Sequence, residues 1–202
     1  MMTHKNPDRR PEQLDKRGAS RRSVLLGGGA VLGGAAALLA GGIAAQGGQT
    51  LTVDVAMDGR TWRMTRLDPT QPDALAHRGD SFIVNGGIFP AGTIERGLTS
   101  PDQTGRIGTW VCRGTFQVED IMTQTPHVAS LQMFLLDGGN ALISEGLEGG
   151  VTVTRAVIGG WGRYAGARGT SLEEPMGSNE TLFDVGAAEV PSFNLRFTFT
   201  LI

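Results

Sequence analysis

The sequence predicts an all-β domain, either a two-sheet sandwich or a closed barrel, carried behind an N-terminal leader. Three observations predict it. From Gln49 onward apolar and polar residues alternate with period two, and turn residues interrupt the alternation every eight to fifteen positions. No stretch of that body carries the spacing of an amphipathic helix. About eight strands in one domain of roughly 155 residues have an apolar face to bury, which two packed sheets or one closed sheet can do.

The leader comes first in the chain. Ser23 to Ala45 contains no charged residue and follows Arg17-Gly18-Ala19-Ser20-Arg21-Arg22. A basic segment with paired arginines, an apolar run diluted by glycine and small residues at Gly42-Ile43-Ala44-Ala45 resemble a twin-arginine export signal over residues 1–45. Its glycines lower hydropathy and helix propensity below those of a permanent anchor. The expectation is a domain at 46–202 that works in the periplasm, at the cell surface or outside the cell, delivered by the export machinery.

The strands follow in order. Leu51, Val53, Val55 and Met57 alternate with Thr52, Asp54 and Ala56, and Asp58-Gly59 reads as the turn of a first hairpin whose second strand carries Trp62 and Met64. Pro69 and Pro72 open a loop to Gly79. Further strands are expected at Asp80 to Phe89, Arg106 to Glu119, His127 to Leu136, Ala141 to Leu147 and Val151 to Ile158. In the last strand Phe193, Leu195, Phe197, Phe199 and Leu201 share a face, opposite Asn194, Arg196, Thr198 and Thr200. Glycines inside strands, such as Gly86, Gly108 and Gly114, suit the strong coiling of a small barrel.

Charge removes several chemistries. The formal net charge of −2 averages a basic leader and an acidic body, because both lysines, Lys5 and Lys16, precede Ala45. Beyond it, 11 arginines against 17 carboxylates leave the body at −6. A body without lysine forms no Schiff base and no phosphate-binding P-loop. Its acidity argues against nucleic acid as a partner. One cysteine, Cys112, forms no internal disulfide and no cysteine-pair metal site, and His77 and His127 are too few for a three-histidine site, so no metal is expected.

Two segments carry a resemblance. Ala156 to Thr170, with Gly159-Gly160-Trp161-Gly162 and Ala167-Arg168-Gly169, is similar to the glycine-rich hairpin of dirigent proteins and bacterial allene oxide cyclase-like barrels. Gly79-Asp80-Ser81-Phe82-Ile83-Val84-Asn85 with Phe89 resembles a segment of the cyclase branch, and Ile107-Gly108 to Cys112-Arg113 resembles its glycine and cysteine strand. The resemblance implies an eight-stranded antiparallel barrel, a homotrimer, and a small hydrophobic ligand handled without a cofactor. The activity it implies is cyclisation or isomerisation guided by shape; a non-catalytic carrier and a structural surface barrel are the alternatives.

The same resemblance points to candidate site residues. Asn85 falls on the matching asparagine position, where it would bind an oxygen or a water or, alternatively, satisfy a buried turn, and Asp54 is the nearest substitute for a first-strand glutamate missing here. An inward Asp54 in an apolar cavity would shuttle a proton or stabilise a cation; an outward one is a solvated carboxylate. Phe82, Phe89, Trp110 and Cys112 are the expected lining of the ligand pocket. Glycines 159, 160 and 162 are expected to supply positive φ at a tight corner.

Overall fold

A computed structural model describes residues 48–70, 76–118, 125, 127–185 and 188–202. The expected leader at 1–45 lies outside the described residues. Eight strands run in chain order: β1 Gln49–Thr65, β2 Ser81–Pro90, β3 Gly108–Phe116, β4 Val128–Leu136, β5 Asn140–Glu148, β6 Val153–Trp161, β7 Gly169–Val185 and β8 Ala188–Leu201. Each pairs antiparallel with the next, and β8 returns to β1, so the sheet closes. Of the two architectures left open by periodicity, the protein adopts the barrel, which leaves no sheet edge unpaired.

Closure turns strand parity into inside and outside. The lumen takes the odd residues of β1 (Val53, Val55, Met57) and of the lower part of β8 (Leu195, Phe197, Phe199, Leu201). It takes the even residues of β2, β3, β4 and β5, and Arg155 and Val157 from β6. One half of the lumen is packed shut. Phe134 meets Phe197 and Phe199 edge-on, with ring centroids 4.8 Å apart in both pairs, and Val53, Ile88, Leu142, Val157 and Leu201 fill the space around them. Edge-to-face rings at that spacing interdigitate at interior density.

A second, smaller apolar cluster lies outside the barrel. Ala56 and Phe89 point away from the lumen and are covered by Leu98, with Ile94 beside them, from the 91–107 connection. That connection is strapped down by polar contacts: the Asn194 amide donates to the Leu98 carbonyl at 2.8 Å, and Arg196 pairs with Glu95. The Arg196 guanidinium holds the Glu95 carboxyl down at about 2.

Three expectations are corrected. Asp58-Gly59 is not a hairpin turn: β1 is continuous through it, and the pairing with β2 shifts register between Asp58 and Arg63. Gly59 is required there by crowding, since a Cβ would lie 2.2 Å from the Leu182 carbonyl oxygen, and its N–H donates to Thr181. The Asp58 carboxylate accepts the Arg60 N–H and so shapes a bulge where a turn was expected. Secondly, β7 is a 17-residue strand that the alternation did not announce. Its omission and the extra strand of the supposed hairpin cancel, which is why the expected number of strands matches. Thirdly, only Gly162 of the three hairpin glycines has positive φ, at 64°. Gly160 is needed for close approach, because a Cβ would meet the Ala141 oxygen at 2.4 Å, whereas a Cβ at Gly159 would make only an ordinary contact with Arg168 Nη1 at 3.9 Å.

Candidate functional site

The other half of the lumen is hollow. A cavity of about 590 Å³ lies where β1, β3 and β5 end and where β2, β4 and β8 begin. This volume suits a small organic molecule. Rings edge it in a chain of contacts: His127 stacks on Phe116, Phe116 meets Phe82, Phe82 stacks on Trp62, Trp62 meets Phe183, and Phe183 meets Phe193. The tightest pair, Trp62 and Phe82, has centroids 4.4 Å apart. Trp110 separates this space from the packed half, lying against Phe197 at 6.3 Å.

On the β3 to β7 side the lumen is polar. Glu148 ends β5 and Glu173 comes from β7, and both carboxylates line the cavity. The Gln132 side-chain N–H2 of β4 bridges them, donating to Glu173 at 2.9 Å and to Glu148 at 2.5 Å. Behind them, fully buried, is Arg155 of β6, with its Nη1 3.4 Å from Glu148 and 3.7 Å from Glu173. The guanidinium also donates to the Ser130 hydroxyl at 2.8 Å and to its carbonyl at 2.9 Å.

Two carboxyl groups beside one buried cation do not titrate as free ones. Burial first, and then the charge of Glu148, push Glu173 up to about 8, against the pull of Arg155 and the Gln132 hydrogen bond. Glu173 therefore carries a proton at neutral pH. Next to it the Cys112 thiol donates to Glu148 Oε1 at 3.3 Å, and burial with the neighbouring carboxylates raises it well above its ordinary range. Such a thiol packs as a small apolar group and is a poor nucleophile. The site thus sets two adjacent carboxyl groups, one of them held towards its neutral form by burial, in an otherwise apolar wall, a combination suited to moving a proton onto and off a bound molecule.

Of the residues expected in the site, Phe82, Trp110 and Cys112 line the cavity. Asp54, Asn85 and Phe89 do not, and parity is the reason. Asp54 is an even residue on a strand whose odd residues face inward; it is buried beneath the 91–107 strap, pairing with Arg196 at 2.8 Å and accepting the Ile94 N–H at 3.0 Å. Asn85 and Phe89 are odd residues of β2, whose even residues face inward. Asn85 is exposed, its backbone N–H donating to the Thr61 hydroxyl at 2.8 Å, and Phe89 packs in the outer cluster. Asp80, flagged by the same resemblance, accepts the Leu67 and His77 backbone N–H groups at 2.7 and 3.0 Å and so ties a loop.

Glu148, Glu173, Gln132 and Arg155 are the functional candidates that reading the sequence overlooked. One signal pointed to them: Val153, Arg155 and Val157 share a parity, so a buried valine face carries an arginine that needs a carboxylate partner.

No family model matches the sequence, and no curated protein matches it. Solved structures do. The pterocarpan synthase dirigent protein PsPTS1 is 10% identical with a TM-score of 0.55, over 78% of this chain and 96% of that one. The pterocarpan synthase dirigent protein GePTS1 is 11% identical with a TM-score of 0.53, over 76% and 83%. A pyocyanin demethylase is 18% identical with a TM-score of 0.49, over 76% of this chain and 100% of that one. At these identities what the chain shares with the dirigent proteins is the fold, an eight-stranded closed barrel.

Proposed function

We propose that this barrel binds a small, largely apolar molecule and guides its isomerisation or ring closure by proton transfer, with no bound cofactor. The observation that carries the reading is a pair of carboxyl groups, Glu148 and a buried Glu173 whose burial favours its neutral form, on the wall of an apolar cavity. Glu173 acts as the acid that donates to an oxygen or an alkene of the guest, and Glu148 takes a proton from a neighbouring carbon. Gln132 and Arg155 fix the two carboxyl groups, while Trp62, Phe82 and Trp110 fold the guest into one reactive shape. The dirigent fold supports this reading, since a closed barrel supplies the walls on which such control depends. Export through the 1–45 leader and assembly as a trimer belong to the same proposal, supported by the leader's residue pattern and the resemblance.

The test starts by extracting the purified, exported protein with organic solvent and identifying what it carries. That compound is then incubated with protein in D2O. Deuterium incorporation or a rearranged product is expected, falling at least about 100-fold in Glu173→Gln and unchanged in Asp54→Asn. A compound that is bound but never exchanged makes the barrel a carrier, and an empty extract contradicts the binding reading.

A further inference from the structure

The outer wall of the barrel carries an apolar face that belongs to neither core cluster. On β4 the outward residues Ala129, Leu131, Met133 and Leu135 are all apolar and half-buried, while the inner side of the same strand carries Ser130 and Gln132. Val111 of β3 and Ile143 of β5 flank Met133, each directly paired with it. None of these six outward side chains is part of the lumen cluster or of the cluster under the strap. The outward residues Ala56 and Phe89 differ, because the 91–107 strap buries them. A contiguous outward apolar face marks an interaction surface. In a closed barrel no free strand edge can serve instead.

Charge says what covers this face. One row across the strands reads Arg113, Leu131, Glu145, on β3, β4 and β5. Both charged residues are exposed, and neither has an ion-pair partner among the described residues. Two strand spacings, roughly 10 Å, keep them apart. The row is complementary to itself. A second copy, related by rotation about an axis parallel to β4 in front of Leu131, sets its Glu145 against Arg113. The same rotation sets Ile143 against Val111. It also sets the exposed Leu147 against Thr115, beside the small Ala129, where the outer surface is hollowed. A two-fold axis across the strands would instead oppose Arg113 to Arg113 and Glu145 to Glu145, which like-charge repulsion disfavours.

Resting on the proposed self-assembly, we infer that copies of this chain close into a ring through the outer face of β3–β5, about an axis parallel to β4, with Leu131 and Met133 at the centre and Arg113 of each copy paired with Glu145 of the next. Apolar contact at the centre supplies the affinity, and the charge pair at the flank fixes the register. Rotation about that axis preserves strand direction. Every cavity therefore opens at the same end of the ring, where β2, β4 and β8 begin.

The experiment measures the mass of the purified, exported protein by sedimentation equilibrium and native mass spectrometry at micromolar concentration. The wild type is expected to assemble. Arg113→Glu and Glu145→Arg each oppose like charges and should each raise the dissociation constant at least about 10-fold. The combined variant Arg113→Glu with Glu145→Arg should restore assembly, which a loss of fold would not allow. Leu131→Asp should give a monomer whose circular dichroism spectrum is unchanged, since the residue faces outward. Should that variant fail to fold, the exposed charge variants carry the test. A wild type that stays monomeric overturns the self-assembly and this inference together. Assembly that persists in folded Leu131→Asp, or single charge variants that the combined one does not rescue, leaves the self-assembly standing and overturns this interface.

Discussion

The two halves of the lumen are built by the same alternation of side chains and differ in what that alternation delivers. In the packed half the inward residues are Phe134, Phe197, Phe199, Leu142 and Val157, which fill the barrel to its axis. In the hollow half β7 delivers Glu173 and Pro175 to the inward face, β5 delivers Glu148, and the rings withdraw to the rim. Small and polar inward residues leave a void that apolar packing would have closed. The carboxyl groups at its edge are retained only because Arg155 and Gln132 satisfy them. Close packing is concentrated at one end of the barrel, and the cavity with its carboxyl pair at the other.

That division can be broken most severely at the cation behind the acid pair. Arg155→Met leaves two buried carboxyl groups without a counter-charge and should cost about 3–5 kcal/mol at pH 7.5 in chemical denaturation. Much of the loss should return in the combined variant Arg155→Met with Glu148→Gln and Glu173→Gln. The two halves are compared directly by truncating one ring in each. Phe134→Ala opens a cavity in the packed half and should cost about 3–5 kcal/mol. Trp62→Ala removes a half-buried rim ring and should cost only about 1–2 kcal/mol, with a larger effect on guest affinity than on stability. Equal costs in the two would remove the distinction between a structural and a functional half.

The most gradual effect, spread over several pH units, is the dependence of stability on pH. Glu173 is held near 8 in the folded protein against 4.5 for an ordinary glutamate. Between those values the native state binds more protons than the unfolded chain, so stability falls as pH rises through the window, by at most about 1.4 kcal/mol per unit. Glu173→Gln should flatten that slope. A slope of the opposite sign would mean that the carboxylate form is the one the fold favours.

The sequence announces the packed half more plainly than the hollow one. Phe197, Phe199 and Leu201 alternate cleanly because each lands in a tight apolar interior, and β8 is legible for that reason. The inward face of β7 is polar, so the signal that marks a strand is missing on the strand that carries Glu173. Asp54 was readable as a candidate but not as an outward one: alternation gives two faces without saying which is inside, and the 91–107 strap buries the outer face as completely as the lumen buries the inner. Gly59 misled for a related reason. Its dipeptide fits a turn, but what demands glycine there is the Leu182 carbonyl, 123 residues further along the chain.

The central claim is that Glu173 is a neutral acid inside the cavity at physiological pH. Infrared difference titration of wild type against Glu173→Gln measures this directly, through the carbonyl stretch of the protonated carboxyl group. A band present at pH 6.5, absent from the variant and lost with a midpoint near 8 is the predicted result. A Glu173 that titrates near 4.5, as an ordinary glutamate does, would contradict it.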